Sequence, residues 1–399
     1  MATFNPRIFT NPGRLRSIAP GRLTAFLAPW AEYFAGRGAA LPMSPDEDFP
    51  YDAVAMVLMS PDESVPREMV DALYYVHETA NDEDVDALLT LARNAGIEIE
   101  FDPESSAADV TVQVWLARPK LLEERHAEAV AFNQKNFMYF GGSTGRPREF
   151  PALTEERRQE IQSRLDEWYM AHHRGDNSRV FAFPRGTRVW LLVRHGMRMR
   201  REGCHGKDGQ GTTEYFRPQQ HDVMIYDTEL DEMAVHANTK GERDILLRTF
   251  GAILFGRDDY FPAVPKFRLD PLIEHGPASM ACEDVDGISD VRLVEYQKFW
   301  GGPYKQIEVR KATDIFAALG DQWQSRLTGG RLTAAVFKIA FEGNAKERSV
   351  TIRPNNIAKY ERDADSELVE TWLRARGFCA QPNSGPDDDA PADTALEFA

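Results

Sequence analysis

The 399-residue chain has few cysteines and no long apolar run. Its three cysteines, Cys204, Cys282 and Cys379, are odd in number and far apart. That excludes a disulfide framework and points to a reducing cytosol. No stretch approaches the roughly 18–20 consecutive apolar residues of a membrane span. The first twenty residues lack an apolar core behind a basic start, so no secretory signal is expected. No fixed-period repeat occurs, which argues against a solenoid. Walker A, H-E-x-x-H, the protein-kinase set and a D…(D/E)-x-K nuclease core in strand context are also missing.

What is present is aromatic bulk and unevenly placed charge. Twenty-three Phe and seven Trp exclude a generally disordered chain. The length suggests at least two domains, at roughly 100–200 residues each. The net charge of −16 is not spread along the chain. Residues 1–40 carry five Arg against Glu32, whereas residues 41–110 carry 18 Asp and Glu against Arg67 and Arg93. The tail from Gly385 is acidic again, while residues 178–220 and 326–362 carry net charges of +6 and +5. Such asymmetry bears on partners and fields rather than on fold.

Apolar spacing predicts helices through most of the first 140 residues. Met69, Val70, Leu73, Tyr74 and His77 recur at helical period after Pro66. Val85, Leu88, Leu89 and Ala92 form a second stripe, with Asn81 as cap and Asp82, Glu83, Asp84 and Asp86 in its first turn. Ile97, Ile99 and Phe101 alternate with Glu98 and Glu100, predicting a short strand. Two further helices are expected at 107–117 and 120–132, and a Gly/Pro-rich linker at 141–154. Beyond a charged helix at 155–173 the period becomes strand-like. Segments 180–183, 189–193, 214–226 and 233–236 read as an antiparallel meander, followed by a helix at 241–255. Strands near 266–269, 291–299, 306–309, 332–341 and 349–352 then alternate with helices near 312–319 and 365–376. The fold class expected is α+β. Its parts are a helical acidic domain (1–140), a linker (141–154), a larger antiparallel-sheet domain (155–379) and a disordered acidic tail (380–399).

Four patterns carry possible chemistry. Gly141-Gly142-Ser143-Thr144-Gly145 matches G-x-S-x-G, the nucleophile elbow of serine hydrolases. The elbow needs a helix directly after the serine, and Pro147 and Pro151 argue against one. Cys204, His205, His195, His221 and Asp222 are metal-ligand types, but without the C-x₂₋₄-C or H-x₃₋₅-H pairs that let one turn present two ligands. Gly203, Gly206, Gly209 and Gly211 make a flexible loop that leads into a strand instead of a phosphate-binding helix N-terminus. Finally, Arg194, Arg198, Arg200, Arg201 and Lys207 crowd one hairpin, beside Trp190, Tyr215 and Phe216. Arginine forks suit phosphate oxygens, and aromatic rings suit bases. On a continuous strand, residues 194, 198 and 200 would share one face.

Val189-Trp190-Leu191-Leu192-Val193-Arg194-His195-Gly196 resembles the strand-then-RHG signature of the histidine phosphatases. Over those eight residues the resemblance implies His195 as phosphoryl acceptor and Arg194 as phosphate clamp, with His275 as the second histidine.

The sequence therefore supports a cytosolic, non-enzymatic interaction subunit. It would meet a protein partner through its acidic helical face. Phosphate or nucleic acid would be met through Arg194, Arg198, Arg200, Arg201 and Lys207. No cofactor, resident metal or membrane contact is expected. The alternative is a phosphate-ester or nucleic-acid hydrolase centred on His195 or on Cys204, His205 and His221. A serine hydrolase using Ser143 is a third reading.

Overall fold

The computed structural model describes residues 6–44, 47–62, 64–82, 85–102, 104–205, 209–344, 346–362 and 366–379. Lys207, Gly206, Glu83, Asp84 and the tail 380–399 lie outside the described residues. The chain divides into two compact units, Met1–Ala129 and Val130–Ala399.

The first unit is helical. Its central helix, Ala107–Ala117, is apolar almost all round and buries Val110, Val112 and Val114. Such a pattern requires partners on several sides. Helices Pro20–Leu27, Arg67–Thr79 and Val85–Asn94 supply them. Ser106 caps the central helix by accepting the Asp109 N–H at 3.0 Å. In Arg67–Thr79 the buried stripe is Met69, Ala72, Leu73 and Val76, one step round from the stripe expected, and Tyr74 is exposed.

The strand expected at 97–101 does not form. Ile97 and Ile99 do pack on the core, but among the described residues of this unit no strand is there to pair with. Gln113 takes its place, accepting the Glu100 N–H at 2.8 Å and donating to the Glu100 carbonyl at 2.9 Å. The charge asymmetry is partly resolved internally. Arg16 pairs with Asp52 at 3.1 Å, Arg37 with Asp62, and Arg22 with both Glu100 and the buried Asp109.

The second unit is built on a ten-stranded antiparallel sheet. Its strands, in chain order, are β1 (Asn136–Gly141), β2 (Arg179–Arg185), β3 (Arg188–Gly196), then β4 (Arg200–His205) and β5 (Gly211–Phe216), which form a separate ribbon. They continue as β6 (Gln219–Asp227), β7 (Glu232–His236), β8 (Ile288–Gly301), β9 (Gln306–Lys311), β10 (Arg331–Phe341), β11 (Arg348–Arg353) and β12 (Ile357–Lys359). The spatial order of the large sheet is β2-β3-β6-β7-β1-β12-β11-β10-β8-β9.

Helices cover the two halves of this sheet on opposite faces. Ile161, Leu165 and Tyr169 of Glu155–Ala171, with Leu246 and Phe250 of Lys240–Phe255, pack on Val180, Leu191, Val193, Met224 and Val235. On the other face the register runs from Phe137 through Ala358 and Ile352 to Ala335. Trp372 of Ser366–Ala375 packs on Phe337 of that second face, ring centroids 5.2 Å apart.

Two expectations need correction. Residues 136–140, assigned to the helical domain by their sequence position, form β1 in the middle of the sheet, between β7 and β12. The segment 214–226 is two strands, because Arg217-Pro218 interrupts it and proline has no N–H for a ladder. Among the described residues, no helix is long and apolar enough to cross a membrane.

Candidate functional site

Arg194 and His195 are consecutive on β3, so the pleat sends them to opposite faces. Arg194 lies over the Phe181 ring, 5.4 Å from its centroid. His195 is buried on the other face, beneath Tyr169. Its Nε2 is 3.0 Å from Asp222 Oδ2, and its Nδ1 is 3.0 Å from the Gly196 carbonyl. Gln220 donates to Asp222 Oδ1 at 3.1 Å and to Glu242 Oε1 at 2.9 Å. Glu242 also receives Arg174 and, at 2.7 Å, the Thr239 N–H. That last bond is half of a capping box opening Lys240–Phe255. Burial alone would push Glu242 up, but the Thr239 bonds and Arg174 outweigh it and hold the carboxyl below its ordinary value.

His195, Asp222 and Glu242 present ligand atoms within 4.8 Å of one another, a donor set suited to a divalent cation. Each carboxylate oxygen, however, already faces a protein hydrogen-bonding partner. The cluster is a closed polar pin joining β3 and β6 to two helices. A phosphoryl-accepting histidine needs an open nitrogen and an anion clamp on the same side. Both His195 nitrogens face oxygens, and Arg194 is across the strand. The glycine of the signature has a packing reason, since a Cβ on Gly196 would run into the Arg174 carbonyl. His275 is in the turn after Asp270–Glu274, with its Nε2 3.9 Å from the carboxylate of neighbouring Glu274.

The β4–β5 ribbon holds the other candidates. The strand is not continuous from 194 to 200, because β3 ends at Gly196 and β4 begins at Arg200. Arg194 is therefore separated from the ribbon. Arg198 is in the connection, exposed, with Nε 3.4 Å from the His172 carbonyl. On the ribbon Arg200 lies opposite Phe216 and Arg201 opposite Tyr215. Opposed residues share a face, so the two arginines point to different sides. One face holds Arg200, Phe216, Cys204 and Thr212, with Glu202 directly opposite Glu214. The other holds Arg201, Tyr215, Thr213 and His205, and no carboxylate among the described residues. Arg201 Nη2 donates to Thr213 Oγ1 at 2.9 Å, which lays the guanidinium along that face. Tyr215 is 65% exposed.

The suggested metal group is not assembled. Cys204 and His205 point to opposite faces of the ribbon, Asp222 is engaged with His195, and His221 bonds Gln219 at 2.9 Å on the outer side of β6.

Ser143 is not an elbow nucleophile in this geometry. Its hydroxyl donates to the Tyr260 carbonyl at 2.8 Å, and no helix starts between Ser143 and Glu155. The loop instead wraps the buried Asp231, which accepts Tyr226 and Tyr260 hydroxyls at 2.8 and 2.9 Å and also bonds Thr144. Gly142 is required there, because a Cβ would overlap the Asp231 carboxylate.

Sequence reasoning missed a second polar cluster on the opposite sheet face. Arg188 pairs with Asp227 at 3.1 Å and with Glu370; Lys266 pairs with Glu232; Arg362 donates to the Tyr139 hydroxyl at 2.7 Å. Burial would raise Glu370, but Arg188 and Lys266 prevail and hold it low. Three cations and three carboxylates line a cavity of about 20 Å³, room for about one water. The cluster docks Ser366–Ala375 and has no net charge with which to attract a ligand.

Compared with protein-family models and with curated proteins, the chain matches none.

Proposed function

We propose that this protein is a non-catalytic binding module that holds single-stranded nucleic acid on the Arg201–Tyr215 face of its β4–β5 ribbon. What supports the reading is one arrangement: an exposed arginine opposite an exposed tyrosine on a face with no carboxylate among the described residues. A guanidinium grips phosphate while an aromatic ring stacks on a base, a combination that tolerates any sequence. Arg198 and Arg200 add positive charge at the ribbon's base.

The helical unit serves the same module as a contact for a basic protein partner. Glu68, Asp71, Glu78, Asp86, Glu98 and Asp102 are all exposed on it. The same carboxylates repel nucleic acid and leave the ribbon as its contact.

The test is fluorescence anisotropy with labelled single- and double-stranded oligonucleotides at low and rising salt. Salt-sensitive binding, strongest to single strands and lost in Arg198→Ala/Arg200→Ala/Arg201→Ala, is expected. Absence of binding at low salt, or binding that the triple variant retains, sinks the assignment.

A further inference from the structure

β9 closes the sheet at one end, and among the described residues no strand pairs with its outer edge. At the other end β2 carries Pro184, one of the devices that blunt an edge against further pairing. β9 has no proline, and its register to β8 is regular from Ile307 to Lys311. One face shows Ile307 and Val309, 42% and 48% exposed, and the hairpin end shows Trp300 and Tyr304, 45% and 93% exposed. This edge therefore offers unpaired backbone groups together with apolar surface, which is the surface that strand addition buries.

We propose that β9 pairs antiparallel with β9 of a second copy, extending the sheet across a two-fold axis. The occupant follows from the order of charges. A two-fold axis normal to the sheet reverses the strand and keeps each face, so one residue must face its own counterpart. An axis through Glu308 opposes two carboxylates, and one through Arg310 opposes two guanidinium groups. An axis through Val309 opposes the two valines. It also sets Glu308 of each copy against Arg310 of the other, and Ile307 against the aliphatic stem of Lys311. Of these three registers, only that one sets unlike charges against each other. Glu308 also accepts Trp300 Nε1 at 3.0 Å, a bond that orients its carboxylate.

The test is sedimentation velocity on the full chain across a range of concentrations. The native chain should dimerise. Glu308→Arg and Arg310→Glu should each weaken dimerisation about tenfold or more, because each creates two like-charge oppositions. Mixed in equal amounts, the two variants should form a dimer again, since arginines of one copy then face glutamates of the other. That restoration also shows both variants to be folded. A native chain that stays monomeric overturns the proposal. So does a dimer that neither variant weakens, which would place the contact elsewhere, or a mixture that fails to associate.

Discussion

The phenol ring of Tyr169 lies flat on the imidazole of His195, centroids 4.2 Å apart and planes 12° from parallel. That stacking closes the remaining side of a histidine whose two nitrogens already face Asp222 and the Gly196 carbonyl. A residue that eight letters of sequence liken to a phosphoryl acceptor is thus held as a packing element.

Removing the acceptor should expose that role. Asp222→Ala leaves His195 Nε2 without its partner and Gln220 with one of its two, in a buried site, at a cost of about 2–4 kcal/mol in urea unfolding. His195→Ala should destabilise similarly, without changing hydrolysis of phosphate esters relative to the native chain. Native hydrolysis that vanishes in a folded His195→Ala variant would reverse this reading.

Acid should weaken the second unit through Glu242 and Glu370. Both carboxyls are held below their ordinary value in the folded state. Their contribution is fully present above the unfolded value of 4.5 and is lost as pH falls through the lower, folded value. Stability measured by denaturant titration should therefore fall below about pH 4.5. Glu242→Gln should lower stability at neutral pH and flatten that acid limb. An unchanged limb would show that Glu242 is not a contributor.

Each phosphate contact on a single strand contributes about 0.7 to the slope of log affinity against log salt. Replacing Arg198, Arg200 and Arg201 should reduce the slope by up to about 2. Tyr215→Ala should instead weaken binding with the slope preserved, because stacking displaces no counterions. Equal slopes in the native and triple-variant proteins would remove these arginines from the interface.

At the glycine-rich turn, two neighbouring substitutions should differ sharply. Ser143→Ala removes one hydrogen bond and should cost about 1 kcal/mol. Gly142→Ala drives a methyl into Asp231 and should cost about 2 kcal/mol or more in thermal or urea unfolding. The reverse order of effects would contradict the packing described.

The α+β class and the period of most elements were legible in the sequence because they are local properties. The Arg67–Thr79 and Val85–Asn94 helices follow from apolar spacing, and β8, β10 and β11 from strand-like runs. What was hidden lies in long-range pairing. By position Asn136–Gly141 goes with the helical domain, because its partners β7 and β12 come roughly a hundred and two hundred residues later in sequence. The His195 cluster joins residues from positions 169 to 242, and one part had a readable signal: Thr239 followed three residues later by Glu242, a capping box. The ribbon's arginines were found by charge alone. The separation of Arg194 from the ribbon was not, because the break at Gly196 depends on where β6 stops pairing.

The place of β1 has a practical consequence for dividing the protein. A cut at the glycine-rich segment after Gly141 looks natural from composition, yet it removes the strand that joins four strands on one side to five on the other. A fragment starting at residue 142 would expose two new edges, on β7 and β12, in the interior of what had been one sheet. A fragment starting near 130 keeps the sheet whole, so the helical unit is best separated before β1.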